Sequence, residues 1–527
     1  MNSFFSEQLR HNVFKINLAR AIVTWLVIQF SVTTVPAFAA DETEKNNSVL
    51  HNSVAILPFE NLSPNPDDAY LAMGVHQDIL FLLAQIKDLN VIAHNGVFST
   101  DINYTNKKVV GENKFPSDMP IAEIANTLNV STIMKGNFHY ADNQFNLAVQ
   151  LFNASGNNQL WSKMYERDLS DIFAVQADIV KNITKALGTD ISEAEIARIE
   201  KPLANSIEAY KFYLKARTMV SHLEAGMPPQ FYQYLDQAIA IDPDFALAHA
   251  VKGTGYGMAH TFGNRSGMAS IADVEKIAAA HTKKALELDP NLCYSHMAQA
   301  LNHYGHGRKA EGRQAYERAL QLGPNVTVIL NGYSHYLSFL EEDEYAIQIA
   351  ERAQELTPHD ASWHARLGGP LMFADRPVEA AYNYREGLKY YEFPWLHRLL
   401  GQAEFLSGNR DEAIKHLRIS EQIQESVGRR PDVMTAYTYS LMGLKEDAAR
   451  MVNKLGGKAP TSGHIGVRVW VLANLAIGKP DTAYDILKAD PNNGLVSLQE
   501  IKGNMLNDPI LEEPRFVELR NQIGSLN

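Results

Sequence analysis

One cysteine, Cys293, stands alone among 527 residues. A lone thiol excludes an intramolecular disulfide and a cysteine-rich metal site, and it leaves cytosol and periplasm equally open. A basic excess is missing as well. The formal net charge is -12, so no surplus of Lys and Arg is available to neutralise phosphates, and no nucleic-acid partner is expected. The compact signatures of catalysis are absent too. No HExxH, GxSxG or CxxC pattern occurs, and neither a P-loop nor a dinucleotide fingerprint. Neither an enzymatic reaction nor a cofactor is therefore expected.

Only one stretch is both long and apolar enough to span a bilayer. Arg10, Lys15 and Arg20 precede AIVTWLVIQFSVTTVPAFAA, residues 21–40, which carries no charge. A positive flank, an apolar run and then small residues in Ala37-Phe38-Ala39 predict an export signal cleaved after Ala39, or a membrane anchor if uncleaved. The basic flank stays cytoplasmic and the remainder moves outward, which predicts a periplasmic protein. The polar DETEKNN that follows suits a linker over residues 41–52.

Between residues 53 and 190 the pattern is mixed. VAILPF, LNVIA, VSTIMKGNFHY, QFNLAVQLFNA and QLWSKMYERD read as strands, with turns at Ala141-Asp142-Asn143 and Asn157-Asn158. Helical segments lie between them at Ala69 to Lys87, Ile121 to Leu128 and Asp171 to Leu187, with Gly188 as a helix stop. This predicts an α/β N-terminal domain, one sheet flanked by helices. Residues 191–205 read as a linker helix.

From 206 to 490 strand signals vanish and a repeat appears. AIAIDP, ALELDP, ALQLGP and RAQELTP place prolines at Pro243, Pro290, Pro324 and Pro358, and the last two intervals are 34 residues each. That period, with Pro between helix pairs, is the tetratricopeptide signature and predicts an all-α superhelical solenoid. Small residues agree with it. Gly312 and Ala346 sit at matching offsets, as do Ala319 and Ala353, while Gly253, Ala300, Ser334, Gly368 and Gly401 fall where a first helix must let its partner approach closely. Each helix pair has too little apolar surface to fold alone, so stacking must bury its faces. Residues 491–527 read as capping helices and tail.

Together these stretches resemble a bacterial family whose members carry a TolB-like amino-terminal domain followed by tetratricopeptide repeats. The resemblance rests on SVAILPFENLSPNPDDAYLAMG, LNVIAHNGVF, VSTIMKGNFHYADNQFNLAVQLFNASGNNQLWSKMYERDLSDIFAVQADIV and NSIEAYKFYLKAR, and on NDPILEEPRFVELRNQIG near the end. SFFSEQLRHNVFKINLARAIVTWLVIQ is similar to the family's membrane-anchor opening. Relatives often place an adenylate/guanylate cyclase domain or a winged-helix DNA-binding domain ahead of the TolB-like region. Too few residues precede Ala21 for either, so neither activity is carried over. The family supplies no established catalytic residues for its TolB-like domain.

Several polar groups are candidate sites. Asn61, Asp67 and Asp68 offer hard oxygens without EF-hand spacing, and a turn that caps the helix near Tyr70 explains them better. Gly253 to Gly257 lies in the first helix of a repeat and lacks the context of a nucleotide loop. His296, His303 and His306 share roughly one helix face and are weak candidates for zinc or copper. The groove is the stronger candidate. Offsets that point inward in such arrays give Tyr304, Asn331, His335, Trp395, Arg398 and Gln402, a set suited to an extended or helical peptide. The expected function is an exported bacterial scaffold that binds a protein or peptide partner in this groove, with the TolB-like domain as second module. Two other readings stay open: an accessory or sensory module of an envelope signalling system, and an enzyme without a recognisable motif.

Overall fold

A computed structural model of the chain describes residues 50–93, 119–154, 158–219, 227–262, 271–358, 361–390, 392–426, 428, 431–455, 464–489 and 512–524. The expected export or anchor segment lies outside the described residues. No helix among the described residues is long and apolar enough to cross a membrane. All described elements belong to one compact unit, Val49–Asn527.

Six strands form a mixed sheet, five of them in the order β3-β1-β4-β5-β6 and the short β2 beside β4. They are β1 (Leu50–Ile56), β2 (Glu60–Asn61), β3 (Asn90–Ala93), β4 (Val130–Ala141), β5 (Gln144–Asn153) and β6 (Gln159–Asp168). β1 runs parallel to β3 and β4, and β4, β5 and β6 form an antiparallel meander. The β4–β5 turn is made by Asp142 at φ 52° and Asn143 at φ 63°. Both tolerate the left-handed region that a two-residue hairpin turn requires.

Alternation along the strands divides the sheet's two faces. Val54, Ile56, Val91 and Met134 pack with α1 (Ala69–Leu83), α3 (Ile172–Leu187) and α5 (Ile207–Arg217). Ala55, Ile92 and Ile133 pack with α2 (Ile121–Leu128) and with Leu330, Ala353 and Leu356 of the helical half. The sheet is thus covered on one side partly by the solenoid itself. Asn325 makes that junction. Its Nδ2 donates to the carbonyls of Ile86 and Leu89, each at 2.9 Å, and its backbone N–H donates to Ala84 at 3.0 Å. Arg352 bridges Asn325 and Asn90 at 2.8 and 2.7 Å. These bonds turn the chain after Leu83, so α1 stops short of the Lys87 expected from pattern alone.

The opening loop also departs in detail. Asn65, rather than Asp67 or Asp68, caps the turn Pro66–Asp68, accepting from the backbone of Asp67 at 3.2 Å. Asp68 stands at the N-cap of α1 without a side-chain capping bond. Between the halves, α4 (Glu193–Glu200) opens with a reciprocal capping box of Ser192 and Glu195.

The helical half is a tetratricopeptide-type solenoid of antiparallel pairs. The pairs are α5 with α6 (Pro229–Ile241), α7 (Ala246–Phe262) with α8 (Ile271–Leu288), and α9 (Cys293–Gly305) with α10 (Lys309–Leu322). Next come α11 (Thr327–Phe339) with α12 (Asp343–Leu356), α13 (Ala361–Phe373) with α14 (Pro377–Leu388), and α15 (Pro394–Leu406) with α16 (Arg410–Ser426). The last pairs are α17 (Val433–Leu441) with α18 (Lys445–Lys454) and α19 (His464–Ala476) with α20 (Pro480–Ala489), followed by α21 (Pro514–Gly524). The small residues do what close approach demands. A Cβ on Gly253 would meet Thr282 at 2.8 Å, one on Gly368 would run into the Tyr384 ring, and one on Gly401 would meet Leu417 at 2.8 Å. Ser334 uses the same closeness to donate to the Ala346 carbonyl at 2.7 Å.

Candidate functional site

From α7 to α15 the first helices of successive pairs pack on one another, as do α17 and α19, whereas second helices barely meet. The array therefore curves toward its first helices, which line the inner side. A row of rings runs along that side. Tyr304 on α9 lies edge-on to Phe339 on α11, with centroids 4.9 Å apart, and Phe339 lies 6.0 Å from Phe373 on α13. His335 meets the same Phe339 ring at 5.1 Å. Asn331, His335 and Phe339 are spaced by four residues and so share one face of α11. Tyr304, Asn331, His335 and Phe373 are half-buried, leaving part of each side chain open to solvent. Phe339 and Phe373, missed by the sequence reading, complete the row by linking three helices.

The second cluster of expected groove residues is arranged differently. Trp395 is half-buried and stacks on Phe393 at 5.3 Å with an interplanar angle of 24°. Arg398 places Nε 2.7 Å from the Asp432 carboxylate and donates from Nη1 to Gln402 Oε1 at 3.2 Å. Gln402 is only 1 % exposed and donates to Thr438 Oγ1 at 3.2 Å. These two residues tie α15 to the start and middle of α17. Gln402 is a packing residue, which corrects its assignment to an open groove. The amide is hidden because it bonds to Thr438 on the next first helix.

The histidines resolve into braces. His249, His296 and His364 each follow a repeat proline by six residues, and each Nε2 lies 3.1, 2.8 and 3.1 Å from the carbonyl of Pro243, Pro290 and Pro358 respectively. A carbonyl only accepts, so Nε2 carries the proton and each ring braces the start of its own first helix. Gln354 Nε2 then donates to His364 Nδ1 at 2.7 Å, the tautomer the brace requires. His306 directs Nδ1 at the Asn302 carbonyl and Nε2 at Glu275, each at 2.6 Å. Both His306 nitrogens are thus engaged within the fold. Burial, reinforced by Arg308, lowers the pKa of His303. Among the described residues no group of three or more His, Cys, Asp or Glu could hold a metal ion.

A buried ionic network was invisible in the sequence. Asp78 of α1 is fully buried and pairs with Arg217 of α5, whose side chain is 20 % exposed. The Tyr210 hydroxyl donates to the same carboxylate, and Gln176 of α3 reaches Asp78 at 3.4 Å and Tyr210 at 3.3 Å. Arg217 also lies over the Tyr213 ring, 5.5 Å from its centroid. Burial and the adjoining carboxylate push Tyr210 well above the usual phenol range. Beside the network, burial lowers His76 to about 4, and its Nε2 donates to the Ile56 carbonyl at 3.2 Å. This constellation joins α1, α3 and α5 through the Asp78 carboxylate, so it fastens sheet domain to solenoid, with Gln176 Oε1 left buried and without a hydrogen-bond partner. Cys293 is likewise inert, since burial pushes its thiol up to about 12.

No family model matches the chain. A curated protein of Rhizobium meliloti (strain 1021), "Putative adenylate cyclase 3", is 30% identical over 198 residues, which are 38% of this chain and 31% of that protein. The chain thus spans about a third of the length of the curated relative it matches. Among solved structures the chain is similar to YrrB, described as a TPR protein with an unusual peptide-binding site, at 19% identity over 36% of this chain and 92% of that one, TM-score 0.27. PilF of Pseudomonas aeruginosa is similar at 15% identity over 53% of this chain and 97% of its own, TM-score 0.29. The Cut9–Hcn1 hetero-tetramer of the APC/C is similar at 14% identity over 67% and 63%, TM-score 0.39. The class of the molecule, an α/β domain joined to a tetratricopeptide-type solenoid, rests on its own helix pairs and sheet.

Proposed function

We propose that this chain is a scaffold that holds a protein or peptide segment along the inner face of its solenoid. The observation that carries the proposal is the ring row Tyr304–Phe339–Phe373 with His335 against it. Such a row spans three repeats, with Phe339 buried at its centre and half-open aromatic surface at Tyr304 and Phe373, the kind that supplies most of the energy where peptides bind. The sheet domain, TolB-like by resemblance, is its second interaction module. Export by residues 21–40 to the periplasm, soluble or membrane-anchored, completes the proposal.

Photo-crosslinkers placed at Tyr304 and at Phe373 of the full chain test it in envelope extracts. The same polypeptide should be captured from both positions and lost when Tyr304 is kept and His335→Ala is combined with Asn331→Ala. Different polypeptides at the two positions, or capture unaffected by the double variant, would refute a continuous groove.

The relation to "Putative adenylate cyclase 3" favours a second reading, a sensory or accessory module of an envelope signalling system. If the captured partner is a nucleotide cyclase or transcription regulator, that reading replaces simple scaffolding.

A further inference from the structure

We propose that β6 is a dimerisation edge, pairing in antiparallel register with β6 of a second copy of this chain. Among the described residues no strand pairs with the outer side of β6, which closes one end of the sheet. At ten residues, it is long for an edge. It contains no proline, and its only register shift against β5 falls near its first residues, between Leu151 and Phe152 of the partner strand.

Backbone direction along β6 follows from the two turns. The two-residue Asp142-Asn143 turn makes Ala141 and Gln144 a hydrogen-bonded pair, so even-numbered residues of β5 bond to β4. Odd-numbered residues of β5 then bond to β6. Their partners across the register are Trp161, Lys163, Tyr165 and Arg167. The Leu169 N–H donating to Asn143 at 3.0 Å obeys the same parity. Ser162, Met164 and Glu166 therefore turn their backbone N–H and C=O groups away from the sheet, and Leu160 is the extra residue at the register shift. One of these acceptors, the Glu166 carbonyl, takes a bond from Arg167 Nη1 at 2.8 Å and would share it.

The side chains of those same residues stand on the open face. Met164 is 72 % exposed and Leu160 41 %. The other face is held inward, with Lys163 and Tyr165 both bonded to Asp178 at 2.7 and 2.6 Å.

The occupant is fixed by charge. A two-fold axis at Met164 places Met164 opposite Met164, Ser162 opposite Glu166 and Leu160 opposite Asp168. On the inner face it sets Lys163 opposite Tyr165 and Trp161 opposite Arg167, both cation–aromatic pairs. No like charges meet, and the whole of residues 160–168 is used. An axis at Glu166 would put carboxylate against carboxylate, and one at Ser162 would leave the acidic end unpaired.

The test is disulfide trapping in the full chain. Cys293 is fully buried and silent, so Met164→Cys introduces the sole accessible thiol. Hydrogen-bonded antiparallel partners have Cα atoms about 5.5 Å apart, within disulfide reach. Mild oxidation should convert most M164C to a covalent dimer, while L160C, facing Asp168, should stay monomeric. Wild type should sediment as a dimer and Met164→Pro, which removes an outward N–H, as a folded monomer by circular dichroism. A monomeric wild type, or L160C linking as readily as M164C, would overturn the proposal. If M164P misfolds, the two cysteine variants decide alone.

Discussion

His249 Nδ1 lies 2.8 Å from His281 Nδ1, and the pair joins the two helices of one repeat, α7 and α8. Because His249 Nε2 donates to Pro243, its Nδ1 must accept, and His281 is therefore protonated at Nδ1. His397 and His416 repeat the arrangement between α15 and α16 at 2.9 Å. Burial lowers all four rings, and His281 and His416 fall to about 4. The cations Lys252 and Lys284 oppose a further charge at the first pair and Lys415 at the second, while Asp236, Asp244, Glu392, Glu404 and Glu412 favour it.

A pH dependence follows from these directions and from His76. The rings bind protons less readily folded than unfolded, so the unfolded chain gains protons first as pH falls below about 6.5. Stability is full above that value and declines until the folded rings titrate near 4. His76, almost fully buried, accounts for about 3 kcal/mol of the decline. Thermal melts between pH 7.5 and 4.5 should show this loss, and His281→Gln with His416→Gln should make it shallower. Equal slopes for wild type and variant would contradict the assignment.

Removing one partner of the Asp78–Arg217 pair strands a charge in the interior. Asp78→Ala should cost about 3–5 kcal/mol in urea unfolding, and Tyr210→Phe about 1 kcal/mol. An unperturbed denaturation midpoint for Asp78→Ala would show that the junction between the halves is not held this way.

Two adjacent glycines on α13 should respond in opposite directions. A Cβ on Gly368 would run into the Tyr384 ring, whereas nothing lies within 4 Å of one on Gly369. Gly368→Ala should destabilise by about 1–3 kcal/mol. Gly369→Ala should stabilise by roughly 0.5–1 kcal/mol through its lower backbone entropy. Ala346→Leu, at a fully buried helix contact, belongs with the first case. Calorimetry showing the two glycine variants shifted alike would refute the packing argument.

The two halves of the expected groove should also separate. Arg398→Ala and Gln402→Ala should lower the melting temperature, because each removes a bond between α15 and the α17 region. His335→Ala should leave the melting temperature within about 0.5 kcal/mol of wild type in free-energy terms and act on partner capture alone. A large loss of stability for His335→Ala would make it a packing residue.

The solenoid, the meander and the positions of close helix contact are all legible in the residue pattern. Its 34-residue spacing and the small residues at Gly368 and Gly401 are local requirements of two helices that touch. It also determined the Asp142-Asn143 turn, since few residues accept a positive φ. Periodicity says which face of an element is buried, but not what buries it. Only the tertiary structure set Asn325 against Ile86 and Leu89, 239 and 236 residues away, and covered one sheet face with α11 and α12. It also turned Gln402 and Arg398 from groove residues into ties between helices, and gathered Asp78, Gln176, Tyr210 and Arg217 from three helices. Such partners meet through packing of distant elements, and no local pattern records that meeting.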